Sequence, residues 1–310
     1  MLRLTVLGVG SLGRVFASCM ASTSHEVHLH VRGERGAQAI LEGLKVTGFG
    51  MEAIPAERFL FTCEELETPP SFQAKSDVVL LACKSYDVPS LVEAASFFLK
   101  ADGVALAVSN GLGHAETLTR GLGTKRVVTA TTTHGAFSRP NGEVVWAGKG
   151  TLNLAKTPLG PSDEIFSSLQ RVMSEAGLAP LVEDDPASMV WEKVLLNLSI
   201  NPIAALAGLR NGELLEPGLF SSCMMVYREA AKVAQLERIE IPNEVEFEQR
   251  LRGVLEATAS NECSMLQDIK EGRRTEIDAL NQAVVNKGEE HGLSLPVNQL
   301  LATLIRSCLP

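Results

Sequence analysis

The chain has 310 residues, of which 45% are hydrophobic and 21% charged, and its formal net charge is −9. That length is enough for two domains, each with its own core, and the composition is that of an ordinary globular protein. The acidic balance argues against a nucleic acid or an anionic membrane surface as partner, since both are bound through clustered basic residues. Cys19, Cys63, Cys83, Cys223, Cys263 and Cys308 show no C-x-x-C spacing and several sit in apolar patterns. They read as reduced thiols of a cytoplasmic protein with no metal centre. No run is apolar enough to span a membrane, and no signal peptide is recognisable.

The first thirteen residues, MLRLTVLGVGSLG, hold the clearest pattern. Leu4, Val6 and Leu7 predict a strand buried on both faces. It runs into Gly8-Val9-Gly10-Ser11-Leu12-Gly13, a G-x-G-x-x-G loop. In a dinucleotide-binding turn the first glycine allows the bend, the second lets the backbone approach a pyrophosphate, and the third lets the next helix pack close. A helix-competent segment over 14–21 follows, so its first amides and positive dipole end would face the phosphates. The glycine pattern alone is weak; the strand before it and the helix after it give it meaning.

Residues 26–32 alternate as a second strand. Near such a strand's end, NAD-binding proteins place an acid for the ribose 2′-hydroxyl. This chain has Arg32 and Arg35 instead, and guanidinium suits a 2′-phosphate. NADPH is therefore the expected cofactor. A solvated turn of mixed charge is the plainer alternative, with Glu34 between the two arginines.

As far as about Pro70 the pattern is irregular, with short strands over 43–47 and 58–62. A buried strand over 78–82 leads into a loop with Lys84, at the sheet edge where open α/β proteins bind ligands. A helix over 90–99 follows with Ser90 as its cap. A strand over 104–108 then enters Ser109-Asn110-Gly111-Leu112-Gly113. Another strand spans 126–133 and precedes His134. A hairpin turns at 138–142 into 143–147, an edge strand fits 151–155, a helix 161–176 and a short strand 179–182.

From Asp185 the pattern is helical. Asp185-Pro186 reads as a cap with proline at the first helical position, opening a helix to about Ala207. Further helices fit 219–235, 243–269, 275–291 and 296–307. Gly272 breaks this array, and Thr275 with Asp278 resembles a capping pair at a fresh start. The predicted fold class is α/β: an N-terminal Rossmann-type dinucleotide-binding domain over 1–183 and an all-helical C-terminal domain over 184–310.

The segment WEKVLLNLSINP places Lys193, Asn197 and Asn201 at i, i+4 and i+8. At 3.6 residues per turn each step drifts by ~40°, so the three share one face within ~80°. A polar stripe on so apolar a helix is costly to bury unless something binds it. A stripe facing solvent would collect Glu and Lys rather than two asparagines.

With these segments together, the chain resembles the ketopantoate reductase (2-dehydropantoate 2-reductase) family over essentially its whole length. The resemblance rests on GVGSLG, LACKSYDV, VSNGLG, TTTHGAF, WEKVLLNLSINPIAAL, RNGEL and SMLQDIKEGRRTEIDALN. It implies an oxidoreductase that reduces ketopantoate to pantoate with NADPH on the pathway to pantothenate and coenzyme A. Lys193 would be the general acid and Asn110 would hold it near nicotinamide and substrate. Asn197 and Asn201 would bind substrate oxygens, Ser264 the substrate carboxylate and Glu276 its hydroxyl. Gly8, Gly10, Gly13, Arg32 and Lys84 would belong to the NADPH set, with Asn110 also close to the cofactor. Asn211 and His134 match family positions without an assigned role. The implied partner is a small 2-keto acid, and the expected state is a monomer or homodimer. Two alternatives stand: a reductase of another branched 2-keto acid, and a non-catalytic NADP(H)-sensing protein.

Overall fold

The computed structural model describes residues 1–308, and of Arg35 the backbone alone. The chain divides into two units, Met1–Ser109 with Gly113–Pro186, and Asn110–Leu112 with everything from Ala187 on. Asn110–Leu112 lies within the first domain by sequence position. It groups with the second unit because Leu112 N–H donates to the Ala279 carbonyl at 2.9 Å.

In the first unit the chain runs β1 (Arg3–Leu7), α1 (Ser11–Ala21), β2 (Glu26–Val31), α2 (Gly33–Glu42), β3 (Val46–Thr47), β4 (Phe59–Cys63), β5 (Ser76–Leu81), α3 (Val88–Phe98), β6 (Leu99–Ala107) and α4 (His114–Leu122). It continues through β7 (Thr129–Thr132), β8 (Gly135–Ser138), β9 (Val144–Gly148), β10 (Leu152–Ala155), α5 (Asp163–Glu175) and β11 (Pro180–Val182). Five parallel strands form the main sheet in the order β4-β2-β1-β5-β6. The order reverses between β1 and β5, and ligands of such sheets bind at the carboxyl ends of the strands flanking that switch point. Two three-stranded sheets, β11-β10-β7 and β3-β9-β8, complete the unit.

The continuous apolar runs follow from burial on both faces. Leu4, Val6, Val78 and Leu80 join one core with Phe16 and Met20 of α1. Their neighbours Leu7, Val79 and Leu81 join another with Leu91 and Phe98 of α3 and Leu118 of α4. Helices α2 and α4 escape sequence pattern because α2 contains two glycines and α4 is bounded by Gly113 and Gly123. Ser90 is not the cap of α3: the helix starts two residues earlier, and the Ser90 hydroxyl donates to the Asp87 carbonyl.

The second unit is helical: α6 (Pro186–Ala207), α7 (Pro217–Leu236), α8 (Glu244–Ala257), α9 (Ser264–Lys270), α10 (Asn281–Glu290) and α11 (Pro296–Ser307). The single helix expected over 243–269 is two. Backbone N–H groups of Asn211 and Gly212 donate to the carbonyls of Asn261 and Ala259, which fixes the intervening segment outside either helix. The helix expected from 275 begins only at Asn281. Residues 275–280 form turns, and Asp278 caps nothing there but pairs with Arg274 and Arg306. Among the described residues no helix is long and apolar enough to cross a membrane.

Candidate active site

The residues expected to carry the chemistry fall into two groups, one in each unit. In the first, β1 delivers the chain to Gly8 at φ +90°, where a side chain would lie 2.8 Å from the Cys83 backbone nitrogen. A Cβ on Gly13 would overlap the Gly8 carbonyl oxygen, so only glycine lets α1 start this close to the strand. Gly10 differs from both. A Cβ there would meet no protein atom within 4 Å, so protein packing does not demand a glycine. An open cradle at the first turn of a helix is what a bound pyrophosphate needs. Among its described features, α1 has no acid in its first turn and no side-chain N-cap. The residue that braces this loop was not singled out from sequence. The buried Arg14 donates to Gly142 O at 2.9 Å and approaches Val9 O at 3.4 Å. Its signal was a lone arginine in an otherwise apolar helical segment.

Arg32 directly follows β2 and is half exposed. Its guanidinium donates to Asp87 Oδ2 at 2.6 Å and lies 3.9 Å from the Glu64 carboxylate. Its acidic partners are thus Asp87 and Glu64 rather than the sequence neighbour Glu34. The side chain of Arg35 lies outside the described residues. Lys84 follows β5, beside β1, and its carbonyl accepts the Asp87 N–H at 2.9 Å. His134 is buried, with Nδ1 accepting the Gly150 N–H and Nε2 therefore donating to Leu178 O at 3.1 Å.

In the second unit α6 is buried along most of its circumference, through Trp191, Val194, Leu195, Leu198 and Ile200 among others. Lys193 and Asn197 are half-buried and Asn201 is buried on the shared stripe. Asn197 Nδ2 lies 3.4 Å from Asn110 Oδ1, and Asn110 Nδ2 donates to Glu276 Oε2 at 2.9 Å. The bonds seen at Asn110 therefore lead to Asn197 and Glu276. Gly111, at φ +107°, makes this approach possible, since any side chain there would collide with Ala279. Glu276 is buried in the turn before α10 rather than in the first helical turn expected from Gly272.

Burial pulls the Lys193 ammonium down to a pKa of about 8, with the Glu276 carboxylate acting in the opposite direction. A cation poised near neutrality, a carboxylate and two asparagine amides are thus gathered around one face of a dry helix.

The remaining predicted residues are placed less directly. Ser264 is the exposed first residue of α9, and its neighbour Cys263 caps that helix and reaches the Asn201 carbonyl at 3.5 Å. Asn211 is buried and donates to Thr258 Oγ1 at 2.9 Å, which ties its 3-10 turn to the end of α8. All six cysteines are free, and burial raises the thiols of Cys19, Cys223 and Cys263.

Comparison with known proteins gives the family. Residues 4–158 match the family model for ketopantoate reductase PanE/ApbA, and residues 186–308 match that for its C-terminal part. The chain belongs to the ketopantoate reductase family. A 2-dehydropantoate 2-reductase of Halobacterium salinarum is 34% identical over 98% of both chains. The crystal structure of a family ketopantoate reductase from Ralstonia eutropha superposes with a TM-score of 0.85 at 26% identity, covering 99% of this chain and 98% of that one. D-mandelate dehydrogenase with NADH and anilino(oxo)acetate shares the fold, with a TM-score of 0.89 at 24% identity over 99% and 98% of the two chains. The protein is an oxidoreductase of this family.

Proposed function

We propose that the protein reduces 2-dehydropantoate to pantoate with NADPH, as a step toward pantothenate and coenzyme A, and that Lys193 is the general acid. The observation that carries this reading is the Lys193–Glu276–Asn110–Asn197 constellation on α6 and its neighbours. Reduction of a ketone builds negative charge on oxygen, so a cationic donor aimed there stabilises the transition state. An acid works best when its pKa lies near the working pH, and about 8 leaves Lys193 mostly protonated at neutrality. The nicotinamide supplies the hydride. Gly8, Val9, Gly10, Ser11, Leu12 and Gly13 would hold its pyrophosphate, with Arg32 and Lys84 near the adenosine end. Asn110 and Asn197 would orient the ketone, Asn201 and Ser264 would take the carboxylate, and Glu276 would accept the substrate hydroxyl.

The test is a panel of 2-keto acids, ketopantoate and 2-ketoisovalerate among them, assayed with NADPH and with NADH. Ketopantoate with NADPH should give the highest kcat/KM. A different keto acid in first place would overturn the substrate, and no turnover at all would leave an NADP(H)-sensing protein. For the cofactor, Arg32→Ala should weaken NADPH binding by ~10- to 100-fold and hardly change NADH, since a charge-assisted contact is worth roughly 1.5–3 kcal/mol. Equal losses for both would make Arg32 structural, a partner of Asp87 and Glu64.

A further inference from the structure

Helix α6 carries a proline in its interior, Pro202, directly after Asn201. Proline has no N–H, so the Leu198 carbonyl four residues back is left without its helical i+4 donor. Leu198 is fully buried, and no solvent reaches that carbonyl to replace it. The side chain of Asn281 does so instead: Nδ2 donates to Leu198 O at 3.2 Å. The same amide nitrogen donates to Asn298 Oδ1 at 3.0 Å. Asn298 in turn donates to Val226 O at 3.2 Å and to Glu229 Oε2 at 2.9 Å, and the Glu229 carboxylate accepts the backbone N–H groups of Val297 and Asn298. Asn281 and Asn298 are both wholly buried.

Asn281 is also the first residue of α10, immediately after the turn that carries Glu276. That turn closes on itself through Leu280 N–H to Glu276 O at 3.2 Å and Gln282 N–H to Ile277 O at 3.2 Å. One side chain therefore bridges the helix bearing Lys193, Asn197 and Asn201 and the segment bearing Glu276. The Asn281 oxygen has no partner among the described residues, so the amide acts there as a donor. An apolar residue of similar volume would fill the space but leave the carbonyl orphaned, and the helix and turn would no longer be held to each other by this bond.

We propose that Asn281 is a positioning residue for the reduction: its amide replaces the N–H that Pro202 lacks, and thereby sets how the Lys193–Asn197–Asn201 face meets Glu276. The inference rests on the reading of Lys193 as acid and Glu276 as substrate anchor. It carries its own rescue. Replacing Pro202 with alanine restores a backbone N–H aimed at Leu198 O, which makes the Asn281 donor dispensable.

The experiment compares wild type, Asn281→Ala, Pro202→Ala and the double variant, each shown to be folded by circular dichroism at the assay temperature. Three quantities are measured: kcat and KM for ketopantoate, the Kd for NADPH, and the pH midpoint for acetylation of Lys193 by acetic anhydride in the absence of substrate and cofactor. Misplacement by about 1 Å costs as much as ~10²-fold in rate, so Asn281→Ala should lose ~10-fold or more in kcat with NADPH affinity unchanged. Its Lys193 midpoint should move by roughly half a pH unit or more, because the distance to Glu276 and the depth of burial both change. Pro202→Ala should behave as wild type, and the double variant should recover most of kcat and the wild-type midpoint. If Asn281→Ala does not fold, Asn281→Ser takes its place. A folded variant with wild-type kcat and midpoint would overturn the proposal, and so would a loss that Pro202→Ala leaves untouched. Should the wild type fail to reduce ketopantoate, the functional reading falls, and the acetylation midpoints alone decide the role of Asn281.

Discussion

Two polar clusters sit in apolar surroundings in this protein, and burial has opposite consequences for them. Across the main sheet, Ser76, Thr5, His28, Thr62 and His30 form a chain of side-chain hydrogen bonds of 2.6 to 3.0 Å. Phe72 and Phe98 pack against His28. Burial lowers the His28 pKa to about 3, and the charges of His30 and Arg3 act in the same direction. Every influence agrees, so the imidazole stays neutral. On α6 burial also disfavours the charged form of Lys193, but Glu276 opposes it, and the pKa stops at about 8. Burial with aligned neighbours silences a base; burial against a carboxylate poises one.

The largest expected effect comes from removing the poised group. Lys193→Ala should lower kcat by ~10²-fold or more, within the range of roughly 10² to 10⁴ typical of general acids, and leave the NADPH Kd close to wild type. Near-normal turnover in this variant would end the comparison.

The next concerns the carboxylate that opposes burial. Glu276→Ala should lose ~10- to 100-fold in kcat/KM on ketopantoate, because remote binding energy orients the ketone and a hydrogen bond to a charged group is lost. Activity on 2-ketoisovalerate, which has no hydroxyl for Glu276, should start lower and fall much less. Equal proportional losses on the two substrates would remove hydroxyl recognition from the reading.

The same balance predicts a pH profile. In wild type, kcat/KM should decline about tenfold per pH unit above about 8 as Lys193 loses its proton. Glu276→Gln removes the influence that raises the Lys193 pKa, so its alkaline limb should move to lower pH. An unchanged limb would show that another group limits the rate.

The silenced cluster predicts a change in stability rather than rate. His28 binds a proton near 6.5 when unfolded but only near 3 when folded, so the unfolded chain takes up more protons between those values. Stability is therefore present above pH 6.5 and is lost as pH falls through that window, by up to about 1.4 kcal/mol per pH unit. His28→Gln should flatten this slope in denaturant titrations between pH 6 and 4. A slope equal to wild type would show that His28 does not report the cluster.

The parts of the fold that sequence made legible are those in which local pattern and burial agree. The apolar run into Gly8, the helix after the glycine loop and the polar stripe of α6 each follow from local pattern, although the close approach of Cys83 to Gly8 comes from the distant segment after β5. Helix α2, with two glycines, and the ends of α8, α9 and α10 were not legible. Their limits are set by bonds between distant segments, such as those from Asn211 and Gly212 to Asn261 and Ala259.

For the site, the sequence by itself determined that Lys193, Asn197 and Asn201 share a face, because helical geometry follows from spacing alone. It also determined a glycine loop able to take a pyrophosphate, because backbone freedom is a property of the residue type. Only the tertiary structure decided that Asn110, 87 residues before Asn197, bonds to it and to Glu276. Only there does Asp87 hold Arg32, and Asn281 supply the donor that Pro202 lacks. A pKa of about 8 for Lys193 belongs to the same class, since it arises from the burial and the carboxylate that folding brings to the side chain. Spacing along one element is written in the chain, whereas the energy of a group depends on what other elements bring against it.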